Sequence, residues 1–403
     1  MLYKQPNWIR FILRILACLM VFSTIAGFFN YSIFYYISLF LFASIIILQK
    51  SKWQLGEKYI AFLLFICFVS LLVNNPPSYF NSWERLSLFA LFLIIFSPVV
   101  KKHFSIVIRT EYFIYILDIC AILSVGSFFA YFFGVNLFMR NEEYLAISAG
   151  KFSGLMDHSM KLGPVAAISA LYLQSMMYVQ KKLITKRILL IGIVCCVGAS
   201  LLAASRIAIV SGMLAFGTFY YRYYNEKREK LLKIYCSIFI VGAMSFPIWK
   251  SWTDFVIEKH VTNIEYGGYM YSREKKMNAR INEFWGSPII GVGYNVIDPS
   301  LEYVNKKTGR IEPGSSWLGI LSMTGLMGFI CFLYIYIKYL KISFHIRNNL
   351  ISSFYTSLLI YLGCHMFAEG WIYSSRNLLN IIFWLLISSI YFHHNKIIES
   401  KLH

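Results

Sequence analysis

The chain has 403 residues, of which 58% are hydrophobic, 18% aromatic and only 14% charged. Its mean hydropathy of +0.60 places it among polytopic membrane proteins and excludes a water-soluble globular chain. A net charge of +19 would point to nucleic acid in a soluble protein; here the orientation rule for membrane helices accounts for most of it, and no nucleic-acid partner is expected.

An apolar run of roughly 18 residues can cross the hydrocarbon. On that criterion the chain reads as an all-α polytopic membrane protein with about 12 transmembrane helices. One membrane domain covers 1–403, and one large polar loop, 249–315, stands within it. The spans fall at about 11–29, 31–48, 59–74, 86–100, 112–134, 162–179, 187–204, 207–222, 231–248, 316–337, 350–367 and 377–392. Pro98, Pro164 and Pro247 stand where spans start or stop. The 8 cysteines all lie in or at the end of apolar runs, so they read as small core hydrophobes. The first apolar run is too long for a cleaved signal peptide and no small-residue cleavage site follows it.

The charges set the orientation. With the N-terminus inside, Lys4, Arg10 and Arg14 are cytoplasmic. The short inside loops then carry Lys50, Lys52 and Lys58; Lys101, Lys102 and Arg109; Lys181, Lys182, Lys186 and Arg187. Arg222, Lys227, Arg228, Lys230, Lys233, Lys338, Lys341 and Arg347 continue the series, and Lys396 and Lys401 put the C-terminus inside too. The loop 249–315 is then extracytoplasmic, together with the loop 135–161.

Basic residues on the outer side carry the chemical information. Arg206 lies in LLAASRIAIVSG, at the end of a span in a tight turn. It reads either as a snorkelling interfacial residue or as an anion ligand, since its guanidinium fork suits phosphate oxygens. Arg273 and Arg280 are about two helical turns apart, so one helix face can carry both. That stripe is either a solvated face or a site for an anion such as a pyrophosphate. The following GSPIIGVGYN is turn-rich, and its glycines allow close backbone approach. Glu312, in IEPGSSW, is placed as a general base or as a charge favouring the helix start that Ser315 or Ser316 caps. EGWIYSSRN adds Glu369, Trp371 and Arg376 on the same side, with His365 one turn earlier and Asp157 and His158 in the other outer loop. No zinc motif, Gly-rich phosphate loop or nucleotide fold appears.

The ordered set FSGLMDHSMKLGPVAAI, LLAASRIAIVSGMLAF, the polar loop, GSPIIGVGYN and SSWLGILSMTGLMGFI resembles the O-antigen ligase/O-antigen polymerase family of bacterial membrane glycosyltransferases over about residues 150–340. The resemblance implies a protein of the cytoplasmic (inner) membrane that moves glycan from a polyprenyl-diphosphate carrier on its outer face. It implies a polyprenyl-diphosphate-linked oligosaccharide donor and acceptor, with a chain-length regulator and a flippase as partners. Arg206, Arg273, Arg280 and Arg376 would hold the diphosphate, with Arg206 and Glu312 catalytic and no metal or cofactor. Trp252, Tyr269, Trp285 and Trp371 would stack on sugars, a role they share with ordinary interfacial anchoring. Ligases of the family carry a His-Asn pair where this chain has Gly314 and Ser315. That departure favours the polymerase branch, which lengthens a surface polysaccharide (O-antigen, capsule or exopolysaccharide). A ligase is the alternative within the family. A transporter or flippase is the alternative from another class; it would need ionisable residues and broken helices within the spans, and Asp118 is the main candidate acid.

Overall fold

The computed structural model describes residues 6–29, 31–48, 54–101, 103–137, 152–224, 271–297 and 314–402, with 229, 230, 233, 236, 250 and 261 as separate positions. The helices are α1 (Asn7–Ile25), α2 (Ser32–Ile47), α3 (Lys58–Asn74), α4 (Ser82–Phe96), α5 (His103–Phe132), α6 (Ser159–Val179), α7 (Leu183–Leu202), α8 (Arg206–Tyr223), α9 (Tyr271–Gly286), α10 (Ser316–Phe344), α11 (Asn349–His365) and α12 (Leu378–Leu402). Two-residue strands β1 (Gln54–Leu55) and β2 (Val100–Lys101) pair antiparallel.

The chain is an all-α polytopic membrane protein. Eleven of the expected spans coincide with helices; the one expected at 231–248 lies outside the described residues except for positions 233 and 236. Among the described residues, seven helices are long and apolar enough to cross a membrane by length and composition, and Ser32–Ile46 and Lys58–Asn74 are shorter apolar helices.

Helix α5 starts nine residues before the span expected at 112, because Arg109 is not a loop cation. It is fully buried, its Nε donating to Ile95 O at 2.7 Å, Nη2 to Ile94 O at 2.7 Å and Nη1 to Val100 O at 3.1 Å. One guanidinium thus closes the last carbonyls of α4, which have no partner within that helix. Arg109 therefore contributes nothing to the basic count of an inside loop.

Helix ends gather at two levels. At one, the C-termini of α1 and α11 meet the N-termini of α6, α8 and α10. Lys161 Nζ donates to Thr24 O at 2.7 Å, Gly163 packs against Ser205, and Ser316 N donates to Met366 O at 2.9 Å. At the other, Arg10 faces Glu111 at 3.7 Å, Lys338 bonds Glu57, and Arg222 Nη2 donates to Phe344 O at 2.7 Å. Helix α6 packs on α5, α7, α8 and α11, and α10 packs on α3, α9, α11 and α12.

One span is broken. Within α10, Gly325 has φ 62° and ψ −166°, a region that essentially only glycine occupies. The break strips Ser322 O, Met323 O, Leu326 N and Met327 N of their helical partners, which is costly in a membrane unless other groups replace them. The segment 287–297 replaces all four. Val292 N donates to Ser322 O at 2.9 Å and Gly293 N to Met323 O at 3.2 Å, while Leu326 N donates to Pro288 O at 2.8 Å and Met327 N to Ile289 O at 3.4 Å. The close approach expected of GSPIIGVGYN is thus made against α10. A Cβ at Gly291 (φ +79°) would collide with the Met323 carbonyl, and one at Gly325 with that of Ile289.

Candidate functional site

The expected site residues sit in three neighbourhoods at the level where α6, α8 and α10 begin. Arg206 is the first residue of α8, half-buried, after the turn Ala203–Ser205, in which Ala204 has φ 50°. The α8 N-terminus has no side-chain cap, and the positive end of a helix dipole adds to the guanidinium charge there. Neighbouring α6 starts at the same level. His158 is its N-cap, Nδ1 accepting from Met160 N at 3.0 Å, and Lys161 pairs with Asp157 at 2.6 Å. Asp157 and His158 therefore hold structure: one balances a lysine, the other caps a helix.

Arg280 sits on α9 but points into the α10 break. It is 1% exposed. Its Nη1 meets Glu283 Oε2 at 2.9 Å, Val296 O at 3.1 Å and Ser322 Oγ at 3.1 Å. One side chain thereby ties α9, the segment 287–297 and the first half of α10 together. Asn74 Nδ2 donates to Gly291 O at 2.9 Å and Ser70 Oγ to Met323 O at 2.8 Å, fixing α3 to the same junction. On the α4 side, the Asn295 amide lies against Arg85; assigned so that its oxygen accepts, it is 2.6 Å from Nη1 and 3.2 Å from Nε. Tyr294 donates to Tyr373 O at 3.2 Å, and burial pushes both phenols well above their ordinary pKa, so each stays a neutral hydroxyl.

Arg376 and Trp371 belong to the 366–377 connection. Arg376 Nη1 donates to Ser32 Oγ at 2.7 Å and Nη2 to Ser23 O at 3.2 Å, next to the Thr24 carbonyl that Lys161 takes. Two cations thus stand at the C-terminus of α1, the end of a helix dipole that favours positive charge. Trp371 is 3% exposed and packs near Phe383 and His365. Its Nε1 donates to His365 Nδ1 at 3.1 Å, which assigns the ring proton to Nε2, and its backbone N donates to Ser316 Oγ at 2.9 Å. Such an enclosed indole works as packing; of the two expected sugar platforms among the described residues, Trp285 on α9 is the exposed one, at 71%.

Glu312, Trp252 and Tyr269 lie outside the described residues, as does the side chain of Arg273, whose backbone is in the first turn of α9. Gly314 has φ +75°, and Ser315 caps α10 by accepting from Leu318 N at 3.4 Å. The sequence reading did not single out Glu283 or Ser322. The i,i+3 spacing of Arg280 and Glu283 was the available signal.

Residues 191–333 match the family model described as O-antigen ligase. That stretch runs from α7 through Arg206 and Arg280 to just past the α10 break. No curated protein matches the chain.

Proposed function

We propose that this chain, a member of the O-antigen ligase/polymerase family through its residues 191–333, polymerises a surface polysaccharide from polyprenyl-diphosphate-linked repeat units. A hydroxyl of one lipid-linked unit attacks the anomeric carbon of the sugar on a second. The glycosidic bond forms as the bond to the diphosphate breaks, and the hydroxyl proton passes to a base, for which Glu312 is the candidate. The polyprenyl diphosphate leaves with its electron pair. Arg206 at the uncapped α8 N-terminus is the group that best matches that developing charge. Arg273 and Arg376 are the further candidate cations for the diphosphate. Arg280 has its charge balanced by Glu283 at 2.9 Å, so we assign it to positioning: it holds α9 and its neighbours for the substrate.

The observation that carries the polymerase branch is the pair Gly314–Ser315. Where the family's ligases resemble this stretch with a His-Asn pair, this chain spends one residue on a positive-φ turn and the other on a helix cap. Cells lacking the protein should then display single repeat units instead of long chains; loss of all surface glycan would favour a ligase. The α10 break is a feature that a transporter would also carry. Its freed backbone groups are taken up by the segment 287–297, so they offer no coordination to an ion or solute.

From the charge asymmetry we infer that the loop 249–315 is extracytoplasmic and both termini are cytoplasmic. A cysteine introduced as Asn305→Cys should react with an impermeant thiol reagent in intact spheroplasts. Labelling only after lysis would reverse the orientation.

A further inference from the structure

Transfer between two lipid-linked units brings two diphosphates to the protein. The donor's leaves with its carrier, and the acceptor's stays on its own. Two such anions repel each other, so one cation site does not hold both. Arg206 is matched to the donor, and the α4 side of the α10 break offers a second cation. Arg85 is the fourth residue of α4 and is half-buried. With Lys50, Lys52 and Lys101 cytoplasmic, the α3–α4 corner at 75–81 shares the side of the loop 249–315. Asn295, whose amide lies against the Arg85 fork, has φ 56° and belongs to the segment that closes the break. One turn along α4, Phe89 stacks on Tyr294 with ring centres 5.6 Å apart. The guanidinium is therefore oriented by a fixed part of the fold.

An amide orients a guanidinium without cancelling its charge. Lys161 and Arg280 are instead matched by carboxylates, Asp157 at 2.6 Å and Glu283 at 2.9 Å. Glu84, beside Arg85 in the chain, is exposed, and water screens its pull there. Helix α4 also repeats a feature of α8. Each begins without a side-chain cap, so the positive end of its dipole adds to the arginine charge. The two helices have different main neighbours: α4 packs on α2, α3 and α12, and α8 on α6, α7 and α11. Two cationic helix starts thus stand in separate parts of the bundle, one for each diphosphate. The planar fork of Arg85 suits phosphate oxygens as that of Arg206 does.

We propose, resting on the polymerase reading, that Arg85, oriented by Asn295, binds the diphosphate of the acceptor unit. The test uses the full chain in phosphatidylcholine vesicles with a labelled lipid-linked donor whose own acceptor hydroxyl is blocked. The acceptor is either the polyprenyl-diphosphate-linked unit or the same glycan joined to the polyprenyl chain without the diphosphate. Wild type should prefer the first in kcat/KM. Arg85→Ala should lower that preference about tenfold through the KM of the charged acceptor, the loss of one charge-assisted contact. Arg85→Lys should keep most of it. Arg206→Ala should slow transfer to both acceptors and leave their ratio. Partial misfolding lowers both rates alike, so it does not move the ratio either. A wild type indifferent to the acceptor's diphosphate, or a preference unchanged in Arg85→Ala, would overturn the site and leave the polymerase reading standing. No transfer by wild type to either acceptor would overturn that reading and the acceptor site with it.

Discussion

Arg206→Ala is expected to lower the rate of polymerisation about 30- to 1,000-fold while the protein reaches the membrane in normal amount, because one charge-assisted contact to a leaving group in a water-poor site is worth roughly 2–4 kcal/mol. Arg206 heads α8, where helix dipole and guanidinium act together. Arg206→Lys should recover part of the rate only, since a point charge replaces a two-toothed fork. Single repeat units should replace long chains at the cell surface. Arg280→Ala should behave differently. It leaves Glu283 buried without its cation, a loss of about 3–5 kcal/mol, so the amount of folded protein should fall with the activity. Normal chain length in Arg206→Ala at matched protein level would remove the residue from the chemistry, and loss confined to abundance would make it a structural residue.

Gly325→Ala is expected to destabilise the fold by about 2–6 kcal/mol, the sum of a backbone conformation closed to L-residues and an overpacked contact. The added methyl group would occupy the space of the Ile289 carbonyl. Either the segment 287–297 lifts from α10, or α10 straightens; in both cases buried backbone groups lose their partners. The apparent melting temperature of the detergent-solubilised protein should drop sharply. Gly286→Ala, at a position where a Cβ meets open space, is the matched control and should change little. An unchanged melting temperature in Gly325→Ala would mean that the break is not required by the fold.

The helices were legible because apolar runs in a membrane chain leave few alternatives: a backbone in hydrocarbon must bond within its own segment. That rule also explains where the reading failed. It treats each charge as either loop or site, and so it put Arg109 in a cytoplasmic loop. The fold instead buries Arg109 against the carbonyls at the end of α4, a partner that only tertiary structure supplies. In the sequence Arg280 is one tooth of a cationic stripe, open to reading as a solvated face or as an anion site. Its partners Val296 and Ser322 are 16 and 42 residues away, beyond the reach of any local pattern. Gly325 resembled an ordinary small residue in a span, because its positive φ leaves no trace in composition. The glycines of GSPIIGVGYN did announce a close approach, without saying to what. Trp371 matched the composition of a sugar platform, yet its indole nitrogen is spent on His365 inside the bundle.

Glycosyl transfer between two lipid-linked repeat units by this chain alone, the proposed reaction, has a direct test. Purified protein in lipid vesicles, given polyprenyl-diphosphate-linked repeat units in EDTA, should release polyprenyl diphosphate and build a ladder of products, each longer by one unit. Release without a ladder, product only when a separate lipid acceptor is supplied, or activity that returns only with Mg²⁺ or Mn²⁺ would contradict it.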